Sequence, residues 1–181
     1  GGGLLFCCSQ LPAGASVRGA RGVASGAVAG ACVHGLRFAT GVLDAGAAAF
    51  LFETPVPDAI AIPDSAIAVP NLRDTLGTIA DRYFGSPSKQ ITVVGVSGTN
   101  GKTSFVQMLT QALSLHGDIA GSIGTLGAGL YAYVVAGERT TPDVIAVHRL
   151  LADMRDAGAS HVAMEGSSPA LDQGRVDAVA F

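Results

Sequence analysis

A glycine-rich turn between a β-branched run and an apolar helical segment constrains the fold of this chain more than any other feature. Residues 91–96 read Ile-Thr-Val-Val-Gly-Val, which is typical of a buried parallel strand. Residues 97–104 follow as Ser-Gly-Thr-Asn-Gly-Lys-Thr-Ser, and a helix is predicted from about Lys102 to His116, where Gly117 ends it. Glycines let such a turn point its N–H groups inward, and the helix N-terminus adds positive potential. The sequence therefore predicts a phosphate-binding loop.

Two side chains of this turn carry the chemistry that a nucleotide requires. Lys102 can reach the β- and γ-phosphates of ATP, and the Thr103 hydroxyl can bind Mg²⁺. The strict GxxxxGK[ST] spacing is not met, because its first glycine position is Val96. The alternative is an ordinary glycine-rich turn with a solvated lysine. The predicted ATP-binding residues are Gly98, Thr99, Asn100, Gly101, Lys102, Thr103 and Ser104.

One acidic residue is predicted close to this loop. Glu165 directly follows the run Val162-Ala163-Met164, which places it at the carboxyl end of a strand, where open α/β sheets bind their ligands. Mg²⁺ in such sites takes one or two carboxylates together with phosphate oxygens. Lys102 and Glu165 are therefore the predicted catalytic residues, and Thr103 and Glu165 are the predicted Mg²⁺ ligands. The alternative for Glu165 is a surface glutamate that follows a strand.

Strands and helices alternate through the second half of the chain. A strand is predicted at 119–123, a helix from an N-cap at Thr141-Pro142 to Ala157, a strand at 161–164 and a helix opened by Ser168-Pro169. The alternation predicts an α/β fold with a parallel sheet and right-handed crossovers. The stripe predicted to be buried on the helix 102–116 is Phe105, Met108, Leu109, Ala112 and Leu113, and that of the helix ending at Ala157 is Val147, Leu150, Leu151 and Met154.

The first half of the chain gives a weaker pattern and is predicted to be a separate domain. A short helix is predicted at 36–43, strands are predicted at 47–52 and 67–69, and a helix carries its apolar face on Leu72, Leu76, Ile79, Ala80 and Tyr83. The breaking residues 85–88 separate the two halves. The prediction is a small α/β domain over residues 1–88 and a parallel-sheet phosphate-loop domain over residues 89–181.

Composition argues against several other classes of protein. The chain has 11 basic and 14 acidic residues, a net charge of -3 and only 6% aromatic residues, so neither a nucleic-acid backbone nor stacked bases are expected partners. No apolar run reaches the length of a membrane helix, and no basic residue precedes the apolar residues 4–8 as in a secretory signal. Three cysteines, Cys7, Cys8 and Cys32, show no metal or disulfide spacing, which fits a reducing, cytoplasmic location.

Four stretches resemble the Mur ligases, and the first also resembles the folylpolyglutamate synthetases. Residues 98–103, GTNGKT, are similar to the ATP loop of these enzymes. Residues 123–127, IGTLG, and residues 140–142, TTP, are similar to the "IGTxG" and "TTP" segments of MurE-type ligases. Residues 163–168, AMEGSS, followed by Leu171, Arg175 and Val176, look like their "MEVSSHxLxxxRV" block. The resemblance covers residues 87–181 well and residues 34–88 faintly, at Gly35, Phe38, Gly46 and Ala47.

The resemblance implies a reaction and a set of substrates. A MurE-type ligase of peptidoglycan synthesis uses ATP and Mg²⁺ to phosphorylate the γ-carboxylate of UDP-N-acetylmuramoyl-L-alanyl-D-glutamate. The amine of lysine or meso-diaminopimelate then attacks the acyl phosphate. By matching positions, the residues implied to contact the UDP-sugar substrate are Thr140, Thr141, Ser167, Gln173 and Arg175. The resemblance also implies that residues 1–181 are an incomplete piece of such a ligase, inactive by itself.

The chain departs from the family pattern at identifiable positions. Pro169 stands where the family has a histidine after its two serines, and Gly166 stands where it has a valine. The uridine-binding stretch at the N-terminus has its nearest match at residues 19–21 with Ser25 and Gly26, without the Asp, Ser and Phe of the family. His34, His116, His148 and His161 show no partner pattern, and each is interpreted as structural or exposed. Two alternatives remain open: another ATP-dependent amide ligase, such as a cyanophycin or polyglutamate synthetase, or a non-catalytic nucleotide-binding module.

Overall fold

The chain forms two compact units in a computed structural model, which describes residues 4–7, 23–27, 36, 39–44, 47–56, 60–137 and 140–181. The units are Gly1–Thr75 and Leu76–Phe181, called here the N-terminal and C-terminal units. The division falls inside a helix, before the residues 85–88 at which the sequence placed it. The domain bounds 1–88 and 89–181 stay predictions. Residues 19–21, Cys8, Cys32 and His34 lie outside the described part of the chain, as do Gly35, Phe38 and Gly46.

The N-terminal unit contains a parallel four-stranded sheet. Its strands are β1 (Leu4–Cys7), β2 (Val23–Ala27), β3 (Ala47–Phe52) and β4 (Ala66–Ala68), and they pair in that order. Helix α1 (Ala39–Asp44) lies between β2 and β3 in the chain and overlaps the predicted 36–43 helix. The predicted strand at 47–52 is confirmed, and the one at 67–69 lies one residue earlier. Leu36, Ala39, Phe50 and Phe52 form the buried cluster of this unit.

Helix α2 (Leu72–Tyr83) crosses from one unit into the other. Leu72, Leu76 and Ala80 are buried, as expected of the predicted apolar face, whereas Tyr83 is 41% exposed. A short 3-10 helix (Pro87–Lys89) follows at the predicted break.

The C-terminal unit is a mixed sheet in the order β5-β8-β6-β7. Its elements are β5 (Thr92–Val96), α3 (Lys102–His116), β6 (Ala120–Gly124), β7 (Gly127–Leu130), α4 (Val144–Asp156), β8 (His161–Glu165) and α5 (Ser168–Asp172). The three predicted strands are parallel, which confirms the α/β fold class. Strand β7 is antiparallel to β6 and has no predicted counterpart, because Gly-Ala-Gly-Leu lacks the β-branched residues that indicate a strand.

Helix α4 packs on this sheet as the sequence predicts. Val147, Leu151 and Met154 join the core cluster that contains Ile123 and Met164, and Leu150 packs against it. The same helix buries His148 completely, which the sequence did not distinguish from the other histidines. The Nε2 of His148 lies 2.9 Å from the carbonyl oxygen of Asp177, and its Nδ1 faces the buried Asp81 Oδ1 at 3.8 Å.

Helix α3 has the predicted bounds, but its predicted buried stripe is wrong. Val106 and Thr110 are the buried residues of this helix. Phe105 is 52% exposed and Met108 is 61% exposed, while Leu109 and Leu113 are half-buried and Ala112 is exposed. Apolar residues occur all around this helix, so hydrophobicity alone does not select the face. The face follows instead from the loop, because α3 must begin with Thr103 directed towards the strand ends.

Two predicted helix caps are each displaced by one or two residues. The cap of α4 is Asp143, whose Oδ1 accepts hydrogen bonds from the N–H groups of Ile145 and Ala146. The cap of α5 is Ser167, which precedes Ser168-Pro169. In both segments neighbouring residues have capping side chains, so the pattern alone does not identify the cap. Because Asp143 rather than Thr141 caps α4, the Thr141 side chain can form hydrogen bonds elsewhere.

Candidate active site

The glycine-rich loop joins the carboxyl end of β5 to the N-terminus of α3, as predicted. Gly98 and Gly101 have φ values of 146° and 78°, the region that favours glycine, and Gly101 is the cap residue of α3. Residues 97–101 are exposed, as is Ser104. The ammonium group of Lys102 donates a hydrogen bond to the carbonyl oxygen of Gly98, within the same loop. The loop therefore presents its backbone and Lys102 on an open surface, where a phosphate chain has access.

Glu165 is the last residue of β8 and its side chain is buried, with the whole residue only 1% exposed. The Thr103 hydroxyl donates to Glu165 Oε2 at 2.9 Å. Strands β5 and β8 are neighbours, and Val96 pairs with Glu165 in the ladder. The structure thus brings together Thr103 and Glu165, 62 positions apart in sequence, at one edge of the sheet.

The end of strand β6 adds two residues that the sequence analysis did not assign to the site. The backbone N–H of Thr125 donates to Glu165 Oε1 at 2.8 Å, and the Thr125 hydroxyl lies 3.3 Å from Glu165 Oε2. A Cβ atom on Gly124 would lie 2.2 Å from Glu165 Oε1, so this position must be glycine for the carboxylate to stay in place. One indication of these two residues was present in the sequence, because residues 123–127 resemble a motif of MurE-type ligases. The resemblance assigned no chemical role to that motif.

The contacts of Glu165 fit a hard cation. Within residues 60–137 and 140–181, the hydrogen bonds to its carboxylate come from the neutral groups of Thr103 and Thr125, and no Lys, Arg or His nitrogen forms an ion pair with it. A buried carboxylate without a positive partner is unfavourable. Thr103 and Glu165 would hold Mg²⁺ here, together with phosphate oxygens. The described residues contain no cluster of three His, Cys, Asp or Glu side chains able to hold a metal.

Thr141 is fully buried and joins the site to the strand that carries Glu165. Its hydroxyl donates to the Glu165 carbonyl oxygen at 2.8 Å and lies 3.4 Å from the N–H of Ser167. Its neighbour Thr140 is half-buried, with a hydroxyl 3.1 Å from that of Thr125. The 140–142 segment therefore reaches the site through the backbone of Glu165 and the hydroxyl of Thr125.

Arg175 and Gln173 lie just beyond helix α5. The guanidinium Nη1 of Arg175 donates to the Thr141 carbonyl oxygen at 3.0 Å, and its Nε donates to Gln173 Oε1 at 2.9 Å. Gln173 is exposed and Arg175 is half-buried. Of the five residues predicted to contact a UDP-sugar substrate, Thr141 therefore contacts both Ser167 and Arg175, while Thr140 contacts Thr125 and Gln173 contacts Arg175. Their roles towards a substrate stay predictions.

A family match covers this site. Residues 96–181, which contain the loop, Glu165 and Arg175, match the family described as the Mur ligase middle domain. Over 155 residues, 86% of this chain, the sequence is 57% identical to the UDP-N-acetylmuramoyl-L-alanyl-D-glutamate–2,6-diaminopimelate ligase of Xanthomonas campestris pv. campestris strain 8004. Over these residues the chain is similar to the Mur ligases. The ligase of the same name from Pseudomonas putida is 47% identical over 156 residues.

The same Mur ligase fold is found among solved structures. A structure of a UDP-N-acetylmuramoyl-L-alanyl-D-glutamate–2,6-diaminopimelate ligase matches 96% of this chain with a TM-score of 0.76 at 24% identity. The MurF ligase from Thermotoga maritima in complex with ADP matches 82% of it with a TM-score of 0.52 at 22% identity. This chain spans 31–32% of the two curated relatives and 34% and 30% of the two solved chains. Every helix among the described residues is too short or too polar to cross a bilayer.

Proposed function

We propose that this chain is the nucleotide-binding and dipeptide-binding part of a ligase that joins 2,6-diaminopimelate to UDP-N-acetylmuramoyl-L-alanyl-D-glutamate. In that reaction the γ-phosphoryl group of ATP passes to the glutamate γ-carboxylate, and ADP leaves. The amine of diaminopimelate then attacks the acyl carbon, so that an amide forms and phosphate is released. The observation that carries the proposal is the 2.9 Å contact between Thr103 of the phosphate loop and the buried Glu165. The names of the relatives that are 47–57% identical support the choice of substrates.

Each residue of the site has a chemical role in the proposal. Lys102 and the N–H groups of residues 98–101 neutralise and orient the phosphate chain of ATP. Phosphoryl transfer requires both, because the transferring group is only loosely bonded in the transition state. Thr103 and Glu165 would hold Mg²⁺, which would offset phosphate charge when it is bound. The N–H of Thr125 keeps one carboxylate oxygen away from solvent and directs the other towards Thr103. The groups that neutralise the phosphate charge of ATP would thus lie together at one edge of the sheet.

The substrate half of the proposal uses the contacts around Thr141. Arg175 has a planar guanidinium suited to phosphate or carboxylate, and its Nη1 is held by the Thr141 carbonyl oxygen. Ser167 and Gln173 adjoin the same pair, and Thr140 lies beside Thr125. These five residues would bind the UDP-linked dipeptide so that its γ-carboxylate approaches the phosphate loop.

Titration calorimetry of the chain with ATP and Mg²⁺ tests the nucleotide half. We expect Lys102→Ala to weaken the affinity about 10- to 100-fold, which corresponds to the roughly 1.5–3 kcal/mol of a charge-assisted hydrogen bond. Lys89→Ala is the matched control, because Lys89 belongs to the same unit but pairs with Asp81. Equal ATP affinities for the unmodified chain and Lys102→Ala would contradict the phosphate-loop assignment.

A second titration addresses the substrate. The chain is titrated with UDP-N-acetylmuramoyl-L-alanyl-D-glutamate and, separately, with UDP alone. Tighter binding of the dipeptide-bearing ligand is expected, since the residues around Thr141 would meet the muramoyl dipeptide rather than the uridine. Equal affinity for both ligands would mean that these residues do not bind the dipeptide.

A further inference from the structure

The Thr125 hydroxyl lies between two oxygen atoms that belong to different parts of the proposed site. It is 3.3 Å from Oε2 of Glu165 and 3.1 Å from the hydroxyl oxygen of Thr140. A hydroxyl has one proton to donate, so it can satisfy only one of these acceptors at a time. The Thr140 hydroxyl carries a proton of its own and can donate to Thr125. The arrangement in which Thr140 donates to Thr125 and Thr125 donates to Glu165 uses both protons.

The backbone and the side chain of Thr125 contact different oxygen atoms of Glu165. The backbone N–H is fixed on Oε1 of Glu165 by the end of strand β6. The side chain is exposed, so its hydroxyl can change partner without moving the core. Oε2, the oxygen that this hydroxyl reaches, also accepts from Thr103 and is therefore the oxygen directed towards the phosphate loop.

We propose that Thr125 is a positioning residue whose hydroxyl orients Oε2 of Glu165 for the cation and links that oxygen to Thr140. The proposal rests on the proposed function, because it takes Glu165 to be the cation ligand and Thr140 to face the substrate. The new element is that the hydroxyl of Thr125 connects Glu165 to Thr140 by hydrogen bonds. Groups that orient a metal ligand commonly change the metal affinity 10- to 100-fold when removed.

The test compares Thr125→Val and Thr125→Ser with the unmodified chain. Valine keeps the shape and the backbone N–H but removes the hydroxyl, whereas serine keeps the hydroxyl. Mn²⁺ binding is measured by electron paramagnetic resonance without nucleotide, and ATP affinity is measured by calorimetry with Mg²⁺ and with EDTA. We expect Thr125→Val to weaken Mn²⁺ binding about tenfold and to reduce the effect of Mg²⁺ on ATP affinity. Thr125→Ser is expected to restore both.

The outcomes separate this proposal from the proposed function. Thr110→Val is the control, because the buried Thr110 hydroxyl bonds to the carbonyl oxygens of Val106 and Gly121 and lies outside the site. Equal Mn²⁺ affinity in Thr125→Val and the unmodified chain, or no recovery in Thr125→Ser, overturns the role of Thr125. Mn²⁺ binding that responds to Thr125 without any ATP binding supports this role and overturns the nucleotide assignment. An unmodified chain that binds neither overturns both.

Discussion

Replacing Gly124 by alanine is a direct perturbation of the buried carboxylate. The added Cβ would lie 2.2 Å from Glu165 Oε1 and 2.8 Å from its Cδ. The φ angle of Gly124 is outside the positive region that favours glycine, so alanine adds a steric conflict without backbone strain. Carbon atoms pack at about 3.5–4 Å, so the carboxylate must move by on the order of 1 Å.

The expected cost follows from the contact that this movement breaks. Thr125 N lies 2.8 Å from Glu165 Oε1, and such hydrogen bonds to a charged group contribute about 1.5–3 kcal/mol. Gly124→Ala should lower the free energy of unfolding by about that amount. In a Glu165→Ala background the conflict is absent, so the same change should be neutral or stabilise by up to about 1 kcal/mol through the unfolded state.

Urea denaturation followed by far-UV circular dichroism gives the free energies of the four proteins in this cycle. The interpretation requires a coupling energy of about 1.5–4 kcal/mol between Gly124 and Glu165. An equal cost of Gly124→Ala in both backgrounds would refute it, because the cost would then arise from something other than the carboxylate.

Two further predictions concern the helices that support the site. Asp143→Ala should lower the free energy of unfolding by about 1 kcal/mol in the same assay, because Asp143 rather than Thr141 caps α4. Asp143→Asn should stay close to the unmodified chain, since asparagine also caps helices. An unchanged free energy of unfolding in Asp143→Ala would contradict the assignment of the cap. His148→Leu should lower the free energy of unfolding by about 1–3 kcal/mol, because it removes the 2.9 Å hydrogen bond between His148 Nε2 and the Asp177 carbonyl oxygen, while Asp81 keeps Lys89 and Ser86 as partners. His148→Gln, whose amide can donate to the same carbonyl oxygen, should cost less, and a larger cost for His148→Gln than for His148→Leu would contradict the hydrogen-bond interpretation.

The parts of the fold that the sequence predicted well are those with one dominant pattern. The β-branched strand before the glycine-rich loop and the helix after it leave little choice, so the bounds of α3 agree with the prediction. The apolar run Val162-Ala163-Met164 likewise indicates a strand, and Glu165 is the last residue of that strand. The meeting of Thr103 and Glu165 then follows from parallel pairing of their two strands.

The parts that the sequence did not predict depend on tertiary geometry. The exposed Phe105 and the buried Val106 are adjacent in sequence and similarly apolar, and the direction of Thr103 decides which of them faces the sheet. Gly124 and Thr125 show their role only once β6 lies beside β8. Asp81 and His148 are 67 positions apart, and no local pattern pairs a buried carboxylate with a buried imidazole.

If the loop binds a nucleotide as proposed, the contact of Lys102 with Gly98 makes nucleotide binding an exchange of partners. The ammonium group already donates to a carbonyl oxygen of its own loop, so an arriving phosphate has to compete with that oxygen. The observed affinity is then a difference between two interactions, smaller than the strength of the phosphate contact itself. A loop that occupies its own lysine in this way would favour multiply charged anions, because a singly charged anion gains less from displacing the carbonyl oxygen.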